Sequence, residues 1–353
     1  MTSPVTHNGD YSVGIRAVGT HVPRRTVTNA ELERSLPTTD EWIRAHIGVE
    51  TRHIAAEDEG SSDLGVAALL DACKRAGLPP ESIDLVICGT YTPDNMIPAT
   101  ASAIMRKAQL TDATGFDVNS GGCAGGVFAL DVGAKYIASG EYSRVAVVLT
   151  DVTSKVLDRT DRTTAVIFGD AAACYLLEAC APGRGIQHTS LKSAPDAYFT
   201  AHVAREQRQD HDGTPIRSGY GDNFLVMAGR QVRDFALTRI PKFIHELVRD
   251  AGTDVAEVDL LLLHQANLHI INEVVSAVGL PPERTLTNVE RFGNTSGAGM
   301  PMALCEAAES GRLAPGDLIV LTAFGAGMNY AGSVLRWCGS SDFTPPIGSA
   351  PDR

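Results

Sequence analysis

The 353-residue sequence has no long hydrophobic run and no excess of basic residues. No apolar stretch approaches the roughly 18 residues that a membrane helix needs, and the first residues, MTSPVTHNGDYS, lack the basic start and apolar stretch of a signal peptide. A net charge of −12 supplies no general basic surface for nucleic-acid phosphates. We therefore expect a cytoplasmic protein that binds neither nucleic acid nor a membrane.

Paired cysteines are also missing. The seven cysteines are scattered, with no CxxC pair and no cluster of His and Cys at metal-ligand spacing. We expect reduced thiols, no metal and no resident cofactor. The 44% of hydrophobic residues suffices for one large core or two fused halves. Residues 1–11 and 339–353 are polar and aperiodic, so we expect flexible tails there.

Two stretches of the chain share one pattern. AALLDACKRAGLPPESIDLVICGT and KFIHELVRDAGTDVAEVDLLLLHQ each predict an amphipathic helix ending at Ala-Gly, a short loop and an apolar strand led by an aspartate. The strand RVAVVLT has a similar counterpart in DLIVLT, and the offset is about 172 to 175 positions in both cases. The pattern favours a duplicated chain, although ordinary α/β proteins also repeat helix-strand units.

Helices that alternate with continuously apolar strands predict sheets covered on both faces. Two such halves, residues 12–184 and 185–338, would form a layered α/β/α/β/α body. The segment from Ser193 to Asn223 is polar and aperiodic, which is typical of a long surface loop.

Cys123 is the first candidate for chemistry. It lies in SGGCAGGVFAL, where glycines precede it and an apolar helical pattern follows. A helix N-terminus directs backbone N–H groups and a positive dipole at the sulfur, so we expect a lowered thiol pKa and an oxyanion donor. A cysteine can also be a small buried hydrophobe, but the glycines on both sides favour a substrate site.

Three other features are candidates for the same site. His264 ends the apolar strand VDLLLLHQAN, at the carboxyl end where α/β sheets place ligands, although it could be a satisfied core histidine. Asn294 lies in the turn RFGNTSGAGMP and could simply cap it. Gly325 and Gly327 follow a buried strand in TAFGAGMNYAG, where missing side chains open a cavity.

Together the blocks GGCAGG, HQANLHII, RFGNTSGAG and AFGAGMNYAG resemble the β-ketoacyl-acyl-carrier-protein synthase III family of the thiolase superfamily. TTDEWIRAHIGVETRHIA and TDRTTAVIFGDAA extend the collinear match over about residues 12 to 338. The resemblance implies a thiolase-like five-layered α/β/α/β/α fold made of two duplicated halves. Thiolases would carry a second catalytic cysteine in the last glycine block, and elongating ketosynthases a second histidine in place of Asn294.

The resemblance also implies a role for each matched residue. Cys123 would take an acyl group from a coenzyme A thioester, and His264 with Asn294 would support decarboxylation of a malonyl thioester. The amides of Cys123 and Gly327 would form the oxyanion hole. The substrate-binding residues that it implies are Trp42 and Arg162 at the adenine, Asn267 and Gly229 along the pantetheine arm, and Phe168, Met328 and a homodimer partner's Ile97 around the acyl pocket.

The sequence departs from the family where typical members have basic residues that bind coenzyme A phosphates or an acyl carrier protein. These positions hold His46, Asp234, His269, Ser276 and Ala277, although Arg230 and Arg233 are new basic residues nearby. Weaker attraction of an acidic carrier leaves the acceptor open, with an acyl carrier protein one candidate. A decarboxylating condensation, acyl transfer to a hydroxyl or amine, and a non-enzymatic partner subunit are the three hypotheses; Asn294 favours the first.

Overall fold

The computed structural model of the chain describes residues 12–119, 122–203, 208–209, 215–216 and 224–343. Within these residues the strands form two large sheets and three two-stranded ribbons. No helix in this described part is both long and apolar enough to cross a membrane. The tails predicted at residues 1–11 and, from residue 344 onward, at the C-terminus lie outside the described residues.

The first half contains a five-stranded sheet in the order β1-β7-β6-β4-β5. Its strands and those of a small ribbon are β1 (Ser12–His21), β2 (Arg25–Thr28), β3 (Thr51–Ile54), β4 (Leu85–Gly89), β5 (Thr114–Val118), β6 (Arg144–Asp151) and β7 (Ala171–Cys180). The helices are α1 (Asn29–Leu32), α2 (Asp40–His46), α3 (Ser61–Ala76), α4 (Thr100–Ala108), α5 (Gly125–Ala138) and α6 (Arg162–Ala165). The sheet is mixed, since β4 is parallel to β5 and β6 while β7 is antiparallel to β1 and β6.

The second half contains a four-stranded sheet in the order β13-β14-β15-β8. Its strands and those of two ribbons are β8 (Gly185–Ser193), β9 (Ala201–Val203), β10 (Arg208–Gln209), β11 (Pro215–Ile216), β12 (Leu225–Met227), β13 (Leu260–Leu263), β14 (Leu318–Gly325) and β15 (Asn329–Arg336). The helices are α7 (Gly229–Asp250), α8 (Leu268–Val278), α9 (Val289–Phe292) and α10 (Gly299–Glu309).

The two sheets repeat one topology. The order β8-β15-β14-β13 reproduces β1-β7-β6-β4, with two antiparallel pairs followed by one parallel pair in each. This correspondence confirms the predicted duplication, because a generic series of helix-strand units would not repeat both the order and the sense of four strands. The exact limits of the halves, 12–184 and 185–338, stay a prediction.

Five layers follow from the burial of both faces of each sheet. In β4, Leu85 and Ile87 face the central core, whereas Val86 and Cys88 face the outer core formed with α3 and α4. Helices α5 and α10 lie in the central layer between the sheets, and α7 and α8 cover the outer face of the second sheet. The alternation explains the continuously apolar strands, since each residue loses contact with water on one face or the other.

Two sequence-based expectations hold only in part where the structure describes the chain, and residues 204–207, 210–214 and 217–223 of the expected surface loop lie outside the described residues. The start of the expected surface loop forms a 3-10 helix, Pro195–Thr200, and Ala194 at its start exchanges main-chain hydrogen bonds with Met328. At the C-terminus the expected tail begins with a 3-10 turn, Ser340–Asp342, and the carbonyl of Asp342 accepts the Ala181 N–H at 2.9 Å. Short 3-10 segments have no apolar period, so periodicity alone does not detect them.

Candidate active site

Cys123 lies in a 3-10 turn, Gly122–Ala124, that leads directly into the central helix α5. A second 3-10 turn, Ser296–Ala298, leads in the same way into α10 and packs against the first. A Cβ atom at Gly126 would lie 3.1 Å from the carbonyl oxygen of Gly297, so a larger residue would push the two turns apart. The glycines beside Cys123 therefore allow the two central helices to meet at their N-termini.

His264 follows directly after β13, as the apolar run before it indicated. Its N–H donates to the carbonyl of Thr322 at 2.8 Å, which extends the pairing of β13 with β14 by one residue. The imidazole is buried and meets the Phe324 ring edge-on, with the ring centroids 5.6 Å apart. The strand and this ring together fix where the imidazole lies.

Asn294 is held on both sides by main-chain hydrogen bonds. Its N–H donates to the carbonyl of Ile167 at 2.9 Å, and its carbonyl accepts the Gly169 N–H at 3.1 Å. The side-chain Oδ1 accepts the Ser296 N–H at 2.9 Å and the Cys123 thiol at 3.9 Å. Because Oδ1 is engaged in this way, Nδ2 is the group of the amide that can donate to a ligand.

The expected thiolate is not what the resting site contains. Burial raises the pKa of the Cys123 thiol to about 12, and hydrogen bonds from Ser296 and Asn294 offset this only in part. Burial likewise lowers the pKa of His264 to about 3. The loss of solvation outweighs the helix N-terminus, so a neutral thiol and a neutral imidazole line the same cavity. The prediction of a lowered thiol pKa was wrong for this state.

Sequence reasoning missed an acidic group in the same region. Asp151 ends β6 and its Oδ1 accepts the Tyr91 N–H at 2.9 Å and the Thr90 hydroxyl at 3.0 Å. Burial raises the pKa of Asp151 to about 6, and the charge of its carboxylate contributes to the raised pKa of Cys123. The signal was the Thr-Asp pair that ends the apolar run RVAVVLTD.

A cavity of about 1110 Å³ contains most of the predicted residues. The predicted residues that line it are Cys123, His264, Asn294, Gly327, Met328, Phe168, Asn267 and Gly229. Phe324 and Tyr91 also line it and were not singled out from the sequence. One continuous space therefore joins the three candidate catalytic side chains to the residues expected along a thioester substrate.

Gly327 has a backbone conformation that only glycine adopts readily. Its φ is +119°, and a Cβ atom there would lie 2.8 Å from the Asn329 side-chain nitrogen. The last glycine block thus places main chain, rather than a side chain, at the cavity wall near Met328. That is the arrangement that a backbone oxyanion donor requires.

Trp42 and Arg162 lie outside the cavity lining but contact each other. The Arg162 guanidinium carbon is 5.1 Å from the Trp42 ring centroid, and its Nη1 donates to the Pro37 carbonyl at 3.0 Å. The His46 ring also stacks on Trp42, with a centroid distance of 4.5 Å. The structure therefore brings the two predicted clamp residues together. Beside them lies His46, one of the positions where typical family members have a basic residue.

Of the other predicted residues, Asn267 has a structural role of its own and Ile97 lies at the surface. Asn267 caps α8, because its Oδ1 accepts the N–H groups of His269 and Ile270 at 2.8 and 3.2 Å. Its Nδ2 donates to the His46 carbonyl at 2.9 Å. Ile97 follows β4 in a loop and is 86% exposed, away from the cavity lining of its own chain.

Two family models match the chain. Residues 116–195 match 3-oxoacyl-[acyl-carrier-protein] synthase III, and residues 248–337 match the C-terminal part of the same family. The first match includes Cys123, and the second includes His264 and Asn294.

Individual relatives match over nearly their whole lengths. A β-ketoacyl-[acyl-carrier-protein] synthase III of Symbiobacterium thermophilum is 39% identical over 92% of this chain and 98% of its own. The structure of the synthase III of Thermus thermophilus superposes with a TM-score of 0.87 at 37% identity, covering 92% of this chain and 99% of that one. The priming β-ketosynthase of the R1128 polyketide biosynthetic pathway gives a TM-score of 0.84 at 31% identity, covering 93% and 97%.

Proposed function

Since the chain belongs to the β-ketoacyl-[acyl-carrier-protein] synthase III family, we propose that Cys123 takes an acyl group from a coenzyme A thioester and that the acyl group is then condensed with a malonyl thioester. The protein is an enzyme of the acyltransferase class that serves fatty-acid or polyketide-type synthesis. The observation that supports the residue roles is the convergence of Cys123, His264 and Asn294 on one cavity, with the thiol 3.9 Å from the Asn294 oxygen.

In the first half-reaction the Cys123 sulfur attacks the thioester carbonyl, and coenzyme A leaves as its thiol. The thiol proton must move away as the carbon–sulfur bond forms, because a neutral thiol is a weak nucleophile. The imidazole of His264, which lines the same cavity, would receive this proton and return it to the departing sulfur. The amides of Cys123 and Gly327 would stabilise the oxyanion of the tetrahedral intermediate.

In the second half-reaction a malonyl thioester loses CO2 and leaves an enolate. A neutral His264 N–H and the Asn294 Nδ2 would donate to the enolate oxygen as its charge develops. The enolate carbon attacks the acyl-Cys123 carbonyl, and the Cys123 sulfur leaves as a thiolate that takes up a proton from solvent. Both half-reactions use only a thiol, an imidazole, an amide and backbone N–H groups, so we propose no metal and no resident cofactor.

The contact between Arg162 and Trp42 supports the proposed adenine clamp. An adenine ring could enter between a guanidinium and an indole ring, both of which stack on flat aromatic surfaces. Asn267 and Gly229, which line the cavity, would contact the pantetheine arm. The acyl chain would pass Phe168 and Met328 on the far side of Cys123.

We also propose that the protein acts in the cytoplasm.

We also propose a homodimer in which Ile97 enters the acyl pocket of the partner chain. A side chain that is 86% exposed loses unfavourable contact with water when it is covered. Replacing Ile97 by Phe should shorten the longest acyl group accepted, because overfilling an apolar pocket costs about 1 to 3 kcal/mol. Chain-length preference and the mass in solution test this, and a monomer or an unchanged preference would contradict it.

The acceptor could instead be a hydroxyl or an amine, and one observation favours keeping this alternative. Arg233, one of the two new basic residues, is paired with Glu273 at 2.7 Å, so its charge is locally neutralised. It therefore compensates little for the basic residues absent at His46 and His269. Docking of an acidic carrier protein would be weak, whereas the chemistry at Cys123 would be unaffected.

The deciding experiment supplies wild-type enzyme with an acyl-coenzyme A and a malonyl thioester and measures CO2 and β-ketoacyl product. A parallel incubation replaces the malonyl thioester by alcohols and amines. Condensation predicts CO2 release that depends on both thioesters. Absence of CO2 with every malonyl donor, together with acyl transfer to an alcohol or amine, would overturn the proposal in favour of the alternative.

A further inference from the structure

A fully buried arginine lies between the adenine clamp and the catalytic asparagine. Arg52, in β3, is 1% exposed. Its Nη2 donates to the carbonyl of Val166 at 2.7 Å, and its Nη1 donates to Asn29 Oδ1 at 2.7 Å. Burying a charge is costly, and an apolar side chain would fill the same space without that cost. The hydrogen bonds of the guanidinium therefore indicate why an arginine is buried at this position.

The first of these bonds ends at the segment that carries Arg162. Val166 is the C-cap residue of α6, one turn after Arg162. Because the Arg52 guanidinium holds the Val166 carbonyl, it fixes the end of this short helix. A four-residue helix has little stability of its own, so its direction depends on such external bonds.

The second bond leads to the segment that carries Trp42. Asn29, whose Oδ1 accepts from Arg52, donates its Nδ2 to Asp40 Oδ1 at 2.7 Å and to the Val49 carbonyl at 2.8 Å. Asp40 is the first residue of α2, and Trp42 lies in its first turn. One relay of hydrogen bonds thus joins the helix of Trp42 to the helix of Arg162 through the buried guanidinium.

The stem of Arg52 packs on the other side against the turn that contains Asn294. Cβ atoms at Gly169 and Gly293 would lie 3.1 and 3.4 Å from the Arg52 Cβ. These glycines flank the two main-chain hydrogen bonds that join Asn294 to Ile167 and Gly169. A displacement of Arg52 would therefore reach the catalytic amide as well as the clamp.

We propose that Arg52 is a positioning residue that holds the adenine clamp and the Asn294 turn in register with each other. The proposal rests on the function proposed above. Arg52 touches no substrate; it acts through Val166, Asn29 and the glycines around Asn294. Removing its guanidinium should therefore weaken recognition of the nucleotide and slow decarboxylation together.

The kinetic test uses Arg52→Met, which keeps the length of the stem but removes the guanidinium. Its preference for acyl-coenzyme A over the matching acyl-pantetheine should fall by about tenfold or more, and CO2 release from a malonyl thioester should fall similarly, because small misplacements of catalytic groups are costly. Trp42→Ala should lower the preference alone. Arg284→Met is the matched control, since Arg284 also donates to two carbonyls, Ala256 and Val258, but lies away from the site.

A second test needs no turnover. The chain has two tryptophans, so in a Trp337→Phe background Trp42 is the only tryptophan, and excitation selective for tryptophan reports on it alone. If Arg52 positions Arg162 over the indole, Arg52→Met should change the Trp42 emission in the same direction as Arg162→Ala. This arm remains decisive if the wild-type enzyme fails to condense, which separates failure of this proposal from failure of the proposed function.

Arg52→Lys covers the case in which the Met variant does not fold, because an ammonium keeps the charge and part of the hydrogen bonding. It should shift all three measurements in the same direction by smaller amounts. A folded Arg52 variant that lowers only the melting temperature, with the substrate preference, CO2 release and Trp42 emission unchanged within about twofold, would reduce Arg52 to a structural role and overturn the proposal.

Discussion

The two halves of the molecule use an aspartate in the same way, before β4 in the first half and before its counterpart β13 in the second. Asp84 precedes β4 and accepts the Arg144 N–H, at the start of β6, at 3.1 Å. Asp259 precedes β13 and accepts the Leu318 N–H, at the start of β14, at 2.8 Å. Each half then turns through three 3-10 residues into a central helix. The framework has therefore been kept in both copies.

The copies differ where the strands and turns face the cavity. Aligning β4 with β13 pairs His264 with Gly89, and aligning the two 3-10 turns pairs Cys123 with Gly297. Cys123 and His264 thus each have a glycine as their counterpart in the other half. The absent side chains make room: Gly297 closely approaches Gly126, at the start of the helix that follows Cys123. The two similar halves therefore form one site, in which the first half contributes Cys123 and the second half contributes His264.

The largest effect is expected when the nucleophile, which the first half contributes, is removed. Cys123→Ala should abolish acylation while leaving the fold intact, since alanine fits the turn and only the sulfur is lost. Intact-protein mass after incubation with an acyl-coenzyme A measures this. Cys73→Ala is the control, because that thiol is buried in the outer core and does not line the cavity. A mass shift that persists in Cys123→Ala would assign the nucleophile to another cysteine.

A smaller effect concerns the protonation of the second half's histidine. The folded-state pKa of His264 is lowered to about 3 from an ordinary 6.5, so between these values the unfolded chain binds a proton that the folded chain does not. The stability that comes from its neutral form is complete above pH 6.5 and is lost as pH falls through this window.

His264→Gln removes this titration. The difference in free energy of unfolding between wild type and the variant should therefore change by about 1.4 kcal/mol per pH unit between about pH 6 and pH 4. Denaturant unfolding at several pH values measures it. Taking the difference cancels the opposing titration of Asp151, whose pKa is raised. A difference independent of pH would mean that His264 is not buried in neutral form.

The smallest effects test whether the shared framework is equivalent in the two halves. Asp84 accepts two N–H groups, from Ser143 and Arg144, whereas the exposed Asp259 accepts one, from Leu318. Asp84→Ala should cost about 1 to 2 kcal/mol of stability and Asp259→Ala less than about 1 kcal/mol. Neither should change acylation of Cys123. Equal losses of stability in the two variants, or a loss of Cys123 acylation in either, would contradict this prediction.

The periodic parts of the fold were predictable from the sequence because burial imposes a pattern. The paired helix-loop-strand units predicted the duplication, and the polar residues after an apolar strand predicted His264 at the end of β13. The 3-10 helix Pro195–Thr200 was not predicted, since it depends on contacts with Met328, far along the chain. The raised pKa of Cys123 was missed for a related reason: desolvation depends on everything packed around the thiol, which a local motif does not describe.

Arg52 illustrates the same limit. In the sequence it is one charge in ETRHIA, which is typical of an exposed strand end. Its burial arises because β2, the segment after α6 and the Asn294 turn converge on it, and these are distant in the chain. The resemblance to a family predicted which residues touch substrate, whereas tertiary structure was needed to find the residue that we propose holds them in place.

The central claim is that Cys123 carries the acyl group and that decarboxylation, unlike acylation, needs the Asn294 amide. The most direct test compares acyl-enzyme formation with CO2 release from a malonyl thioester in wild type and Asn294→Ala. Loss of one oxyanion-type donor should cut CO2 release by about 10²- to 10³-fold and leave acylation of Cys123 nearly intact. Equal loss of both half-reactions, or CO2 release that survives the substitution, would contradict the account.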